Sequence, residues 1–187
     1  SETHDGGFSQ IVRVPHEHVI KLPSNLNLRD VMILGTAGFT AGLALLRMLE
    51  NRQNPALRPI AINGATGGVG MLATSLFSKA GFEVHAVSGK PEHSDYLKKI
   101  GAHRILSRES ILTDKALDSV LFGGAVDCVG GQMLSSLLAK TSPYGNVASC
   151  GLVASANLNT TVMPFIIRGV SLLGIASAGT ERIIREK

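Results

Sequence analysis

One stretch, Asn63-Gly64-Ala65-Thr66-Gly67-Gly68-Val69-Gly70, constrains this chain more than any other, because its four glycines fall between a short apolar run (60–62) and a helical segment (69–79). Glycines at such a junction let the backbone turn sharply and approach a ligand closely. The helix that follows opens with amides that have no intrahelical partner and carry the positive end of its dipole, a setting that suits phosphate. The spacing departs from the strict GxGxxG. It reads as GxxGxxG from Gly64, Gly67 and Gly70, or as GxxxGxG from Gly64, Gly68 and Gly70. Between a strand and a helix, either version points to a bound dinucleotide, with Gly67, Gly68 and Val69 as its pyrophosphate cradle.

The same order of elements recurs downstream. Residues 83–87 read as a strand, 91–100 as a helix with Pro91 in its first turn and Gly101 as its stop, and 103–106 as another strand. Helix, strand, helix and strand follow near 113–122, 125–129, 133–140 and 146–150, with a last apolar strand at 170–175. Strands alternating with helices of about ten residues predict an α/β fold, a doubly wound parallel sheet. Upstream, 8–22 alternates loosely and carries Ile11, Val12, Val14, Val19 and Ile20, which predicts one or two short strands interrupted by Pro15. Asn27 then offers a cap, with Asp30 three positions on, for an apolar helix over 31–50 that contains Gly35, Gly38 and Gly42.

Composition narrows the classes. With 187 residues, 44% hydrophobic and 17% charged, the chain has the makings of one domain, or one plus part of a second, and lacks the profile of a disordered protein. Aromatics at 4% argue against stacking platforms for single-stranded nucleic acid, so no nucleic-acid partner is expected. The net charge of +4 contains no long basic run and gains meaning only where a cation falls beside the phosphate loop. Sixteen uncharged residues at 31–46 fall short of the roughly 20 that span a bilayer, so a buried helix is expected, and no membrane partner. The uncharged stretch 141–167 is broken by Pro143 and Pro164. Residues 1–8 show neither the basic nor the apolar region of an export signal, and the opening serine suggests a chain cut from a longer one. Cys128 and Cys150 lack CxxC spacing and read as buried strand residues without thiolate activation, which suits a reducing, cytoplasmic location.

Cofactor choice is written at the end of the second strand. NAD-selective sites carry an acid there, about 20 residues past the glycines, to accept from the ribose 2′-hydroxyl. Here the strand runs instead into Ser88-Gly89-Lys90, a hydroxyl, a close-approach glycine and a cation where a 2′-phosphate would sit. Arg108, after the third strand, can converge on the same phosphate, because parallel strands deliver their C-terminal ends to one crevice. Two such cations, at about 1.5–3 kcal/mol per charge-assisted bond, favour NADPH over NADH by tenfold or more. The plainer reading makes Ser88 and Lys90 the start of the next helix and Arg108 a surface arginine.

Short-chain dehydrogenases share the GxxxGxG reading but need Tyr-x-x-x-Lys, and neither tyrosine supplies it: Ile100 lies four after Tyr96, and Ala148 four after Tyr144. The chain resembles instead the quinone oxidoreductase-like branch of the medium-chain dehydrogenase/reductase superfamily. Five segments carry the likeness alongside the glycine loop: Asp5-Gly6-Gly7-Phe8, Gly35-Thr36-Ala37-Gly38-Phe39-Thr40-Ala41, Ser88-Gly89-Lys90, Asp127-Cys128-Val129-Gly130 and Thr160-Thr161-Val162-Met163-Pro164-Phe165-Ile166. The last of these and the Ser-Gly-Lys turn are most similar to the NADPH-dependent acrylyl-CoA reductase subgroup. The resemblance implies that 1–28 is the tail of a GroES-like catalytic β domain and 29–187 a C-terminally truncated Rossmann NADP-binding domain. It places pyrophosphate on Thr66, Gly67, Gly68 and Val69, the 2′-phosphate on Ser88, Gly89, Lys90 and Arg108, and the nicotinamide half near Leu152, Ile166 and Ser177. By residue type alone Leu152 and Ile166 read as core and Ser177 as a turn.

The activity implied is hydride transfer from NADPH to the C=C bond of acrylyl-CoA or a related enoyl thioester or enone, a small-molecule substrate, in a protein that is a homodimer at full length. The alternatives are an NADPH:quinone oxidoreductase and a non-catalytic NADPH sensor. No catalytic residue is identified, since those would lie in the missing domain. No metal site is expected either: His16-Glu17-His18 is the only His-x-acid-His group and reads as a surface pair. No GxSxG supports a serine hydrolase.

Overall fold

The computed structural model describes residues 7–186. Asp5 and Gly6 of the first resemblance segment lie outside them. Six strands form one sheet: β1 (Ile60–Asn63), β2 (Val84–Val87), β3 (Arg104–Leu106), β4 (Phe122–Asp127), β5 (Thr141–Ser149) and β6 (Ser171–Gly174). Their order is β3-β2-β1-β4-β5-β6, and every pairing is parallel. The order reverses between β1 and β4, so the topological switch point lies at their C-terminal ends. This is the Rossmann arrangement.

Both faces of the sheet are covered. In β1, Ile60 and Ile62 face a cluster with Met48, Phe77 and Val126, while Ala61 between them faces Phe122, Ala125 and Leu137. Period-2 alternation thus divides apolar residues between two cores. The first core lies under α1 (Leu28–Glu50) and α2 (Gly68–Lys79), the second under α4 (Gly131–Lys140). Between them in sequence comes α3 (Ser94–Lys99), preceded by a 3-10 turn at Pro91–His93; α5 (Met163–Arg168) and α6 (Arg182–Arg185) complete the set.

Asn27 caps α1, its side-chain oxygen accepting from the Asp30 amide at 2.9 Å. The helix is the one described element long and apolar enough to cross a bilayer. The expected burial holds only for its second half. Gly35, at φ +48°, breaks it; Thr40, Ala41, Leu43, Ala44 and Met48 are buried, whereas Met32, Ile33 and Leu34 before them are exposed.

Two expected elements are absent. Residues 8–22 contain a single 3-10 turn, His16–His18, and no strand. Strands need neighbours, and no other described segment pairs with this one. The helix expected at 113–122 is an irregular connection, because side chains of α4 take over its backbone hydrogen bonds. Ser136 Oγ accepts from the Thr113 amide at 3.0 Å, and Gln132 Nε2 donates to the Thr113 carbonyl at 2.6 Å. Asp118 is pinned by Lys140 at 2.8 Å, and this bond holds its carboxyl well below the usual range. Arg168 donates to the Asp118, Ala139 and Thr141 carbonyls, tying the connection to α5.

Candidate functional site: a dinucleotide crevice at the switch point

The glycine loop takes its shape from three positions. Gly64 sits at φ +58°, where a side chain is strained, and its carbonyl accepts from the Gly67 amide at 2.8 Å to close the turn. Gly67 is the extended N-cap of α2 and supplies no side chain to the helix start. Gly70, one turn in, lies against the loop: a Cβ there would stand 2.3 Å from the Gly64 carbonyl oxygen and 2.7 Å from the Ala65 Cα. No side chain caps α2, and the amides of Gly68 and Val69 have no partner among the described residues. Gly67 and Gly68 are exposed, Thr66 and Val69 half-buried. The loop therefore presents bare backbone donors at the start of a helix.

Across the crevice, the Ser88 amide donates to the Leu106 carbonyl at 3.0 Å, extending the β2–β3 ladder one residue past β2. Ser88 Oγ accepts from the Lys90 amide at 3.0 Å, which leaves its own hydrogen free to donate outward. Arg108 lies directly over Gly89: a Cβ at Gly89 would be 3.0 Å from Arg108 Nε and 3.1 Å from Cζ. The structure therefore brings Ser88, Gly89, Lys90 and Arg108 together, with Gly89, Lys90 and Arg108 exposed. No acidic side chain occupies the end of β2.

The three residues expected near the nicotinamide half are more scattered. Leu152 follows β5, with its Cα 3.2 Å from where a Gly130 Cβ would stand, so it lies at the switch-point end of the sheet. It is 67% exposed, and Ile166, on α5, is 71% exposed. Both correct the core reading drawn from residue type: each is a large apolar side chain left uncovered. Ser177 opens a 3-10 turn, Ser177–Gly179, and lines an open groove of about 1170 Å³ that it shares with Thr36, Phe39, Leu72 and Leu76.

Beneath the crevice lies a polar cluster that sequence reading missed. Asp127, the fully buried last residue of β4, accepts from Asn63 Nδ2 at 2.5 Å, from the Val129 and Gly130 amides at 3.3 and 3.1 Å, and from Ser149 Oγ at 3.3 Å. Asn63 Oδ1 in turn accepts from the Cys128 amide at 2.6 Å. The cluster joins the ends of β1, β4 and β5 below the loop. Burial pushes the Asp127 carboxyl up, opposed first by the Asn63 hydrogen bond. Gly130 and Gly131, at φ +74° and +58°, turn the chain away from β4. The available signal was a pair of polar residues ending two apolar strands.

The cysteines also depart from expectation. Each stands one residue past its strand, half-buried, with Sγ atoms 3.6 Å apart. The contact between the two sulfurs holds the Cys150 thiol below its ordinary value, while the same contact and burial push Cys128 up. No group of three or more metal-ligating side chains occurs among the described residues.

With this geometry in hand, the likeness to known proteins is specific. The chain is 43% identical over 178 residues to the acrylyl-CoA reductase AcuI of Ruegeria pomeroyi, an alignment covering 94% of this chain and 54% of AcuI. To the quinone oxidoreductase-like protein YhfP of Bacillus subtilis it is 46% identical over 177 residues, with the same coverage, and the structure of YhfP with NAD bound superposes at a TM-score of 0.96. The yhdH oxidoreductase of Salmonella enterica, crystallised with NADP, superposes at 0.95 with 42% identity, covering 98% of this chain and 57% of that one. The chain thus spans about half the length of the curated relatives it matches. The family model described as zinc-binding dehydrogenase matches residues 68–186. The loop, the strand order and these matches agree: the chain belongs to the zinc-binding dehydrogenase family, within the medium-chain dehydrogenase/reductase superfamily.

Proposed function

We propose that this chain is the cofactor-binding part of a zinc-independent, NADPH-dependent reductase acting on the activated C=C bond of acrylyl-CoA or a related enoyl thioester or enone. The observation that carries the cofactor choice is Arg108 lying over Gly89, beside Lys90 and Ser88, where an NAD-selective site would hold an acid. The amides of Gly68 and Val69, with Thr66 and Gly67, take the pyrophosphate; Ser88, Gly89, Lys90 and Arg108 take the 2′-phosphate. Leu152 and Ile166, uncovered and apolar, flank the nicotinamide half and exclude water from it, with Ser177 nearby. When bound, the reduced dinucleotide supplies the hydride to the β-carbon of the acceptor. The NADP-bound Salmonella relative and the name of AcuI support this reading.

Residues 1–28 are the tail of a GroES-like catalytic domain, whose remaining strands pair with the segment 8–22, which joins no sheet among the described residues. That domain brings the catalytic groups, and the chain alone is inactive. The protein is cytoplasmic, and it dimerises through β6, an edge strand bonded only to β5. A quinone acceptor is the second reading, favoured by the likeness to YhfP. The intact protein assayed with NADPH against acrylyl-CoA, simple enones and quinones separates the readings. The expected result is a kcat/KM for acrylyl-CoA at least about tenfold above that for any quinone. Preference for quinone selects the second reading, and tight NADPH binding without turnover of any acceptor makes the protein a sensor.

A further inference from the structure

The geometry points to Cys128 and Cys150 as an oxidisable dithiol that closes to an intramolecular disulfide under the glycine loop, with a peroxide as its oxidant. Their placement follows from sheet register. Asp127 and Ser149 are paired in the β4–β5 ladder, so the next residue on each strand stands opposite the other. The Cys150 amide continues that ladder to the Asp127 carbonyl at 2.9 Å. Neighbouring strands run about 4.8 Å apart, inside the Cα separation that a disulfide accepts. Both side chains pack against the same apolar cluster, beside Ile62, Val126 and Ala148, so they share one face of the sheet. The sulfurs are already 3.6 Å apart. Closing to a bond of about 2.05 Å needs side-chain rotation and no movement of the strands.

The pair also divides the chemical roles. The two sulfurs share one contact, and Cys150 Sγ also donates to the Asp127 carbonyl at 3.3 Å; of the pair, Cys150 is the thiol held below its ordinary value, so the attack is assigned to it. Asp127 stands beside both thiols, and its charge opposes their ionisation. The Cys150 sulfur attacks one peroxide oxygen: an S–O bond forms, the O–O bond breaks, and hydroxide leaves. Cys128 gives its proton to that hydroxide and attacks the sulfenic sulfur, so the S–S bond forms as the S–O bond breaks; the hydroxide expelled takes up the proton that Cys150 released on ionising and departs as the second water. Two thiols lose two electrons and hydrogen peroxide gains them.

The location gives the bond a consequence. A Cβ at Gly64 would lie 3.3 Å from the Cys128 Cβ, so the dithiol sits directly under the turn of the loop. In a reducing compartment such a link is transient and reports oxidant exposure.

The test is a non-reducing tryptic digest of the intact protein, fully reduced and then exposed to hydrogen peroxide. Cleavage after Lys115, Lys140 and Arg168 puts the two cysteines on separate peptides, 116–140 and 141–168. The expected product is the two peptides joined, lighter than their sum by two hydrogens, with about a tenfold fall in alkylatable thiol at both positions that dithiothreitol reverses. Cys128→Ser and Cys150→Ser, near-isosteric changes that keep the fold, each abolish the joined peptide. Two thiols that remain alkylatable after peroxide, or a sulfinic acid at one cysteine without the joined peptide, would overturn the proposal.

Discussion

Gly70→Ala is expected to destabilise the intact protein by about 3 kcal/mol or more, a far larger effect than one methyl group usually has. The added carbon would meet the Gly64 carbonyl oxygen at 2.3 Å and the Ala65 Cα at 2.7 Å. Both are backbone atoms in a turn held by the Gly67 amide, so neither can swing aside as a flexible side chain would. Either α2 moves off β1, opening the core around Ala73 and Phe77, or the loop opens and its amides no longer converge. Gly68→Ala is the control, since its Cβ would meet only the Ala37 Cβ at 3.4 Å, ordinary contact. Urea denaturation of the two variants checks the pair. Gly68→Ala should stay within about 1 kcal/mol of the parent, and equal losses in both would mean that crowding at Gly70 is not what fixes the loop.

Asp127→Ala should cost about 3–5 kcal/mol, because it strands four donors at once: Asn63 Nδ2, the Val129 and Gly130 amides, and Ser149 Oγ. Asp127→Asn keeps an acceptor for Asn63 and should cost less than half as much. The pH dependence has a definite sign. Burial raises the Asp127 carboxyl above its ordinary 3.8, so the folded protein holds this proton more tightly than the unfolded chain. The stabilisation from that proton is complete below 3.8 and is lost as pH rises through the raised value. Asp127→Asn should therefore flatten the stability–pH curve across that window. An alanine variant within about 1 kcal/mol of the parent would show that the cluster does not hold the three strands together.

Much of this fold could be read from the chain because its signals are local. The glycine loop, Pro91 and Gly101 around α3, and the apolar runs of β1, β2 and β6 each name their conformation within a few residues. The failures share a cause, the dependence of local structure on distant partners. The segment 113–122 contains good helix formers, yet Ser136 and Gln132 of α4 decide its conformation. The segment 8–22 has the β-branched content of strands and no strand to pair with. Leu152 and Ile166 have the composition of core residues, but they are left exposed instead of filling a core. That Ser88, Gly89, Lys90 and Arg108 come together was legible because they follow adjacent parallel strands, β2 and β3, which topology must bring together. The Asn63–Asp127 pair spans 64 residues, and its only local sign is a polar residue ending each of two apolar strands.

A crevice built for a dinucleotide bearing a 2′-phosphate is tested most directly by the pair of dissociation constants for NADPH and NADH on the intact protein and on its Arg108→Ala variant. NADPH is expected to bind at least about tenfold tighter, with Arg108→Ala removing most of that margin while leaving NADH unchanged. Equal constants for the two coenzymes, or an Arg108→Ala variant that weakens both alike, would contradict it.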